Sequence, residues 1–247
     1  MKAMILAAGR GSRFKELTET TPKPLIPVDG KPLIEYHLDN LQRAGFKEVV
    51  VNVSWLAKKL EEYFQNRYKG SLKIIIYNEQ EALETGGGVL AALADLSDGQ
   101  SPFLVVNADV MSDFDFREIP SSIDANAHLF LVQNPLEKNI GDFCLSDSGY
   151  VQNLNWQVES ENGHFDTLTF SGISLLTPKI FENSKPGKFS LGDLFREYAD
   201  LNGITGQVLN CNWFDVGTKE RLQKAEQWCK TSSLREHAIK SPNLPCG

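Results

Sequence analysis

Two glycines and two cationic residues near the start of the chain have the spacing of a polyphosphate site. Gly9 and Gly11 follow an apolar run at residues 3–8, and Arg13 and Lys23 come after them. A loop without side chains lets backbone N–H groups approach phosphate oxygens closely, and the two cations supply opposing charge. The dinucleotide fingerprint needs a glycine where Phe14 stands, and the Gly-Lys-Ser/Thr of a Walker loop is absent. The pattern therefore predicts a nucleoside triphosphate site of another kind.

Two aspartates stand where a metal ion bound to phosphates would need ligands. Asp109 follows an apolar segment at residues 103–107, and Asp215 follows another at 212–214. Mg²⁺ that bridges phosphates is held by one or two carboxylates and keeps several waters. An Asx turn or a helix cap is the ordinary alternative for each aspartate. Because the glycine loop is present, we favour metal binding for both.

The elements that must position these residues alternate between strand and helix. The apolar pattern predicts strands at 3–8, 49–53, 73–77 and 103–106, with helices at 34–44, 57–68 and 87–96. This alternation is typical of βαβ units on a doubly wound parallel sheet, which binds ligands at the carboxyl ends of its strands. The glycine loop and Asp109 both fall at such ends, so we expect them to face one cleft.

The second half of the chain has a different pattern. It predicts strands at 128–132, 143–145, 151–154 and 167–176, helices at 189–201 and 219–230, and a loosely packed tail at 231–247. We therefore expect one domain at 1–230, with a nucleotide half at about 1–110 and an acceptor half at about 111–230.

Composition excludes several classes of protein. The chain has 247 residues, a net charge of −7 and a pI near 5.2, so it lacks the basic surface that a nucleic acid requires. No apolar segment approaches the length of a membrane span, and no signal peptide is evident. The four cysteines and four histidines show no metal-ligand spacing. We expect a cytoplasmic protein without a membrane partner.

Several motifs together resemble the sugar-nucleotidyltransferase family, and the resemblance spans roughly residues 1–228. They are Leu-Ala-Ala-Gly-x-Gly-x-Arg at 6–13, Thr-Pro-Lys-Pro-Leu at 21–25, Pro-Val-x-Gly-Lys-Pro-Leu-Ile at 27–34, Ile-Glu-Tyr-His-Leu at 34–38, Leu-Glu-Thr-Gly-Gly-Gly at 83–88, Phe-Ser-Gly-Ile at 170–173 and Trp-Phe-Asp-Val-Gly-Thr at 213–218. Two positions depart from the family pattern: Glu16 replaces a frequent proline, and Ala108 replaces the glycine of Asn-Gly-Asp. Neither change removes a charged functional group.

The resemblance implies a Rossmann-like doubly wound mixed sheet with the nucleotide-diphospho-sugar transferase (GT-A-like) fold. It also implies Mg²⁺-dependent transfer of a nucleotidyl group to a sugar 1-phosphate with release of pyrophosphate. Arg13, a planar fork of donors, is assigned to the β- and γ-phosphates, and Lys23 to the α-phosphate and the incoming sugar phosphate. Asp109 and Asp215 are the expected metal ligands. The leading substrates are UTP and N-acetylmuramic acid 1-phosphate, and we expect a monomer that recycles cell-wall sugar.

Further site residues are implied by the same resemblance. The expected nucleotide-binding residues are Leu6, Ala7, Ala8, Gly9, Gly11, Glu79, Leu83, Glu84, Thr85 and Gly86. The expected acceptor-binding residues are Asn107, Gly141, Asp142, Glu159, Thr169, Ser171 and Gly172. Trp156 is a further candidate for stacking on the acceptor. Arg10 is expected to face solvent.

Three alternatives stay open. The same reaction could use another pair: GTP with mannose or heptose 1-phosphate, UTP or dTTP with glucose 1-phosphate, or CTP with phosphocholine. A non-catalytic sugar-nucleotide sensor could share the fold, but it would be expected to lose charged residues that this chain keeps. A glycosyltransferase would lack the Lys23 motif and would use an Asp-x-Asp pair, and the match at 113–115 lies in what the pattern indicates is a surface turn.

Substitutions at the two charged positions should separate chemistry from folding. Because charges in an open cleft contribute more to turnover than to stability, we expect Asp109→Asn and Lys23→Ala to keep the fold and lose most activity.

Overall fold

The computed structural model describes residues 1–14, 16–154 and 167–240, with side chains described as far as Thr231. The described strands are β1 (Ala3–Leu6), β2 (Pro27–Val28), β3 (Lys31–Pro32), β4 (Glu48–Val53), β5 (Lys73–Asn78), β6 (Phe103–Asn107), β7 (Val110–Ser112), β8 (Ala127–Gln133), β9 (Cys144–Leu145), β10 (Val151–Gln152), β11 (Leu168–Leu176), β12 (Ile204–Val208) and β13 (Trp213–Asp215). The described α-helices are α1 (Glu16–Thr20), α2 (Leu33–Arg43), α3 (Ala57–Asn66), α4 (Glu84–Ala91), α5 (Leu93–Leu96), α6 (Leu191–Asp200) and α7 (Lys219–Lys240).

A seven-stranded mixed sheet forms the centre of the fold, in the order β12-β8-β11-β6-β1-β4-β5. Strands β6, β1, β4 and β5 are parallel, as the alternation of strand and helix in the first half predicts. Strand β11 runs antiparallel to both β6 and β8, which makes the second half mixed. The predicted α/β class and the mixed doubly wound sheet are therefore confirmed.

Helices cover both faces of this sheet because alternate strand residues point to opposite sides. On one face, Ile5 and Val51 pack in a buried cluster with Leu38 of α2. On the other face, Met4 belongs to a cluster with Phe195 of α6. Buried on both faces, the central strands are continuous apolar runs, as expected of parallel strands.

A third buried cluster joins the glycine loop to the end of the chain. Phe14 packs there with Val28, Met111 and Val216, and Ala225 of α7 completes the cluster. These residues come from five separate segments of sequence, so the cluster holds the loop after β1 against the segment after β13.

Two elements differ from their predicted bounds. The predicted helix at 87–96 begins earlier, at Glu84, and breaks at Ala92 into α4 and α5. Helix α7 continues beyond the predicted end at residue 230 to Lys240, where we expected a loosely packed tail. Residues 231–240 contain no glycine or proline, so nothing in that segment terminates a helix. In the part of the chain that is described, none of the helices has both the length and the hydropathy needed to span a bilayer.

Candidate active site

The glycine loop lies at the carboxyl end of β1 and turns tightly at Gly11. Gly11 has φ +64, a conformation that favours glycine, and its carbonyl accepts from Phe14 N–H at 2.9 Å and from the Thr18 hydroxyl at 3.0 Å. A Cβ at Gly11 would lie 3.0 Å from Thr18 Cγ2 and 3.2 Å from Lys23 Cβ. Gly11 is therefore required both by backbone conformation and by the close approach of Lys23.

A cavity of about 630 Å³ opens above this loop, and we call it the glycine-loop cavity. Its lining contains eight of the ten residues predicted for the nucleotide: Leu6, Ala7, Ala8, Gly9, Gly11, Glu79, Glu84 and Thr85. It also contains the predicted catalytic residues Arg13 and Lys23, the predicted acceptor residue Asn107 and the predicted metal ligand Asp109. The carboxyl ends of β1 and β6 thus meet at one cavity, as the sheet topology predicts. Arg10 also lines it; the residue is exposed, as expected, and its guanidinium lies 4.4 Å from the Trp55 ring centroid.

A buried chain of hydrogen bonds fixes the wall of the glycine-loop cavity. Asn52 accepts from Ala7 N–H at 2.8 Å and donates to Glu79 Oε1 at 2.7 Å. The other oxygen of Glu79 accepts from Leu83 N–H at 3.1 Å. Asn52 and Glu79 are only 2% and 4% exposed. Their polar atoms are therefore committed to this wall, because a buried polar group that loses its partner costs about 1–3 kcal/mol.

The three glycines at the start of α4 are explained by packing. A Cβ at Gly86 would clash with the Phe189 ring, and one at Gly87 would clash with the Gly187 carbonyl. A Cβ at Gly88 would lie 2.6 Å from Glu79 Oε1. Gly86 also donates its N–H to the Phe189 carbonyl at 2.9 Å. The predicted nucleotide residues Leu83 and Gly86 are absent from the described lining of the glycine-loop cavity, so here they support its wall from behind.

Lys23 and Asp109 form an ion pair at the floor of the cavity, with Nζ 2.7 Å from Oδ2. Lys23 is only 7% exposed and its ammonium lies 5.6 Å from the Phe14 ring centroid. We expected both charges to stand in an open cleft, and for Lys23 this was wrong. The two prolines beside it hold its backbone while the Phe14 cluster buries its stem.

Asp109 and Asp215 are brought together by a short antiparallel pair. Asp215 is the register partner of Val110, and Val216 N–H donates to the Asp109 carbonyl at 2.8 Å. One carboxylate oxygen of Asp215 pairs with Arg221. The other oxygen, Oδ1, is buried and has no hydrogen-bond partner among the described residues.

These two carboxylates fit a metal ion. A buried carboxylate oxygen without a partner is costly unless something binds it, and Asp215 Oδ1 is such an atom. No group of three or more His, Cys, Asp or Glu side chains with metal-site geometry occurs within the described ranges. A pair of aspartates matches Mg²⁺, which takes most of its remaining ligands from phosphates and water.

A second cavity, of about 610 Å³, adjoins the first and reaches α7; we call it the α7 cavity. It shares Arg13, Asn107 and Asp109 with the glycine-loop cavity. Three predicted acceptor residues besides Asn107 line it: Asp142, Thr169 and Gly172. Asp215 lines it too.

The remaining predicted acceptor residues lie elsewhere. Ser171 is fully buried, and its hydroxyl accepts from Ile173 N–H at 3.2 Å. Gly141 donates its N–H to the buried Thr167 hydroxyl at 2.7 Å. Neither residue is among those that line the α7 cavity in the described structure. Glu159 and Trp156 fall outside the described residues.

Three cations of the α7 cavity were missed by sequence reasoning: Lys138, Arg221 and Lys224. Lys138 Nζ lies 2.7 Å from Asp142 Oδ2, Arg221 pairs with Asp215, and Lys224 pairs with Glu137. Arg221 and Lys224 stand three residues apart on α7, a spacing that puts both on one helix face. That spacing, directly after the Asp215 motif, was the available signal.

His37 lies beneath the shared edge of the two cavities. Burial lowers its pKa from 6.5 to about 4, against a hydrogen bond with the Val110 backbone that raises it. Its Nε2 is buried without a hydrogen-bond partner among the described residues. His37 is therefore neutral at pH 7.

The Asp-x-Asp match at 113–115 lies outside both cavities. Asp113 accepts from Asn212 N–H at 2.8 Å, and Asp115 accepts from Arg117 N–H at 2.9 Å. Phe114 between them is buried in the core. The two carboxylates are thus used in local turn and capping contacts.

Known proteins are similar to this chain over nearly its whole length. The family model described as Nucleotidyl transferase matches residues 2–232. The chain is 42% identical to N-acetylmuramate alpha-1-phosphate uridylyltransferase of Neisseria meningitidis serogroup B, over 92% of this chain and 97% of that protein. It is 32% identical to the protein of the same name from Caulobacter vibrioides, over 91% and 95% of the two chains. In fold, it resembles the crystal structure of HddC from Yersinia pseudotuberculosis, with a TM-score of 0.75 at 23% identity over 92% of this chain and 99% of that one.

Proposed function

Since the chain belongs to the nucleotidyl transferase family, we propose that it transfers the uridylyl group of UTP to N-acetylmuramic acid 1-phosphate. An oxygen of the sugar phosphate attacks the α-phosphorus, the bond to the β-phosphate breaks, and pyrophosphate leaves. The observation that carries the proposal is that the glycine-loop cavity and the α7 cavity meet at Arg13, Asn107 and Asp109. Two substrates bound side by side would have their reacting groups at that edge.

The glycine-loop cavity suits the triphosphate. Backbone N–H groups of the loop and the guanidinium of Arg13 are hydrogen-bond donors for phosphate oxygens. A Cβ at Gly217 would lie 3.1 Å from Arg13 Nη1 and 2.8 Å from Asp215 Oδ1, so Gly217 leaves room for the arginine beside the aspartate. We assign Arg13 to the departing phosphates on this basis.

Lys23 is suited to the α-phosphate and the attacking oxygen. Its ammonium is held at the shared edge by Asp109, so its charge is already oriented before substrate arrives. It is buried, and a charge shielded from water acts more strongly on a neighbouring phosphate. Positioning and charge neutralisation are most of what this kind of phosphoryl chemistry demands of a protein.

Asp109 and Asp215 would hold Mg²⁺. The ion, when bound, supplies positive charge that neutralises phosphate oxygens as pyrophosphate departs. Arg221 keeps one oxygen of Asp215 engaged and leaves the buried Oδ1 for the ion.

The choice of substrate pair is supported by the two uridylyltransferases that share 42% and 32% identity with this chain along almost their full lengths. UTP is placed by inference against the rigid wall that Asn52 and Glu79 build, and the sugar phosphate in the α7 cavity. We also propose that residues 1–230 act as one catalytic domain, since both halves contribute to both cavities. A cytoplasmic location fits Cys211 and Cys229, which are free thiols. The cell-wall recycling role rests on the proposed acceptor alone.

The test is pyrophosphate release with Mg²⁺ across five nucleotides and six acceptors. UTP, GTP, CTP, ATP and dTTP are each combined with the 1-phosphates of N-acetylmuramic acid, N-acetylglucosamine, glucose, mannose and heptose, and with phosphocholine. We expect UTP with N-acetylmuramic acid 1-phosphate to exceed every other pair in kcat/KM. Another winning pair would replace the substrates and keep the reaction, whereas UTP binding without pyrophosphate from any acceptor would favour the sensor.

A further inference from the structure

The α7 cavity is lined by more cationic side chains than one phosphate requires, and carboxylates of the protein balance their charge. Beyond Arg13, the cations Lys138, Arg221 and Lys224 line it, and each is paired with a carboxylate of the protein. A sugar 1-phosphate without another acidic group would have a use for only the cations nearest the shared edge.

The three pairs are held differently. Asp142 is fixed, since its Oδ2 accepts from Phe170 N–H at 2.9 Å as well as from Lys138. Asp215 is fixed by β13 and by Arg221. Glu137 is anchored far less: its side chain is 46% exposed, its neighbour Leu136 is 99% exposed, and Lys224 is its ion-pair partner.

The Lys224–Glu137 pair is therefore the one that an anionic ligand can displace. The ammonium donating to Glu137 lowers the pKa of that carboxyl, so Glu137 is ionised at pH 7. Exposed ion pairs of this kind contribute little to stability, so exchanging Glu137 for another carboxylate costs little. Lys224 already binds one carboxylate at the mouth of the cavity.

Position along α7 gives the direction in which the ligand would extend. Arg221 contacts Asp215 near the shared edge. Lys224 stands three residues further along the same helix face, about 4.5 Å along the helix axis. A sugar whose phosphate lies at the shared edge, beside the Lys23–Asp109 pair, would have its far substituents near Lys224.

We propose that Lys224 is a specificity residue that binds a carboxylate carried by the acceptor sugar, with Glu137 occupying the site until that acceptor arrives. This inference rests on the proposed function and deepens it: the acceptors selected are sugar 1-phosphates that bear a second acidic group. The lactyl ether of N-acetylmuramic acid supplies such a carboxylate, and N-acetylglucosamine is the same sugar without it.

The experiment compares three acceptors in kcat/KM with UTP: N-acetylmuramic acid 1-phosphate, its lactyl amide, and N-acetylglucosamine 1-phosphate. The amide keeps the size of the lactyl group and removes its charge. For Lys224→Gln, we expect the preference for the carboxylate over the amide to fall about tenfold, mainly through KM, and Lys224→Arg to restore most of it. Lys219→Gln, an exposed lysine of the same helix outside the α7 cavity, is the matched control and should keep the wild-type preference.

A second variant tests the exchange itself. Glu137→Gln removes the competing carboxylate, so we expect a KM for N-acetylmuramic acid 1-phosphate about two- to threefold lower than in the wild type, with no such gain for the amide. Equal losses on all three acceptors in Lys224→Gln, or no loss on any, would overturn the role of Lys224 and leave the uridylyl transfer intact. A wild-type enzyme that releases no pyrophosphate with N-acetylmuramic acid 1-phosphate would instead overturn the proposed function together with this inference.

Discussion

The two cavities differ in the wall that each presents away from their shared edge. In the glycine-loop cavity that wall is made of backbone and of buried polar groups whose hydrogen bonds are committed, such as those of Asn52 and Glu79, and the exposed Lys188–Glu84 pair also lines the cavity. The α7 cavity is lined by long charged side chains, and its Lys224–Glu137 pair is largely exposed. A rigid wall suits a ligand that is the same in every reaction cycle. The exposed charged side chains of the other wall can be substituted without loss of the fold. We infer that the nucleotide half sets the reaction and the acceptor half sets the partner.

The largest expected effect is at the edge that both cavities share. Lys23→Met keeps the stem packed near Phe14 and removes the charge, so kcat/KM should fall about 10³-fold for every acceptor. Because Asp109 is 33% exposed and can be solvated, the free energy of unfolding should fall by only about 1–2 kcal/mol. Pyrophosphate release and urea unfolding measure the two effects. Lys31→Met, a surface lysine paired with Asp39, is the control; an active Lys23→Met enzyme would remove this lysine from the chemistry.

Asp215→Asn should come next, with a fall of about 10²-fold in kcat. The neutral amide is a poorer metal ligand, so the Mg²⁺ concentration for half-maximal rate should rise. A Mg²⁺ titration of the rate measures this, and Asp113→Asn, outside both cavities, is the matched control. If the Mg²⁺ dependence were the same in Asp215→Asn and the wild type, Asp215 would be an ion-pair partner of Arg221 and not a metal ligand.

Protonation of His37 should destabilise the shared edge. Its pKa is about 4 in the folded protein and 6.5 when unfolded, so between those values the unfolded chain binds a proton that the folded chain does not. The neutral His37 therefore makes its full contribution to stability above pH 6.5. The free energy of unfolding falls by about 3 kcal/mol as the pH is lowered from 6.5 to 4. Urea unfolding from pH 7 to pH 4.5 measures the slope, which should be shallower in His37→Gln. Identical slopes in the two proteins would show that other groups carry the pH dependence.

The smallest expected effect on activity is at Gly88 and should concern the glycine-loop cavity alone. Gly88→Ala places a methyl group 2.6 Å from Glu79 Oε1 and 2.9 Å from Asn52 Nδ2, both held by hydrogen bonds. We expect a loss of about 1–3 kcal/mol in stability and a severalfold rise in the KM for UTP, with the acceptor KM unchanged. Initial rates with each substrate varied in turn provide the measurement. A rise in the acceptor KM alone would contradict the division between the two walls.

The sequence predicted the nucleotide half well because its signals are local. The apolar run before Gly9, the two glycines and the β-branched strand at Val49–Val51 each indicate their own conformation. The β2–β3 hairpin had a local signal that was overlooked, since Asp29-Gly30 is a strong hairpin turn and both residues have positive φ.

The acceptor half was harder to predict because its wall comes from separate segments. Lys138 pairs with Asp142 four residues on in the same loop, and the place of that pair in the cavity is set by β11, where Phe170 N–H donates to Asp142. The family resemblance predicted Ser171 as an acceptor-binding residue, but it lies at the irregularity of β11 between Phe170 and Ile173 and is fully buried. Charged side chains in loops carry no periodicity, so only the tertiary fold reveals which of them share a cavity.

We propose that the shared edge of the two cavities joins UTP to an acceptor chosen by its carboxylate. The most direct measurement is a competition: enzyme, Mg²⁺ and UTP with equal concentrations of the 1-phosphates of N-acetylmuramic acid, N-acetylglucosamine and glucose, with products quantified by mass spectrometry at low conversion. The product ratio equals the ratio of kcat/KM values. We predict that UDP-N-acetylmuramic acid exceeds the other two products by at least about tenfold. A mixture dominated by UDP-N-acetylglucosamine or UDP-glucose would show that the acceptor is not chosen by its carboxylate.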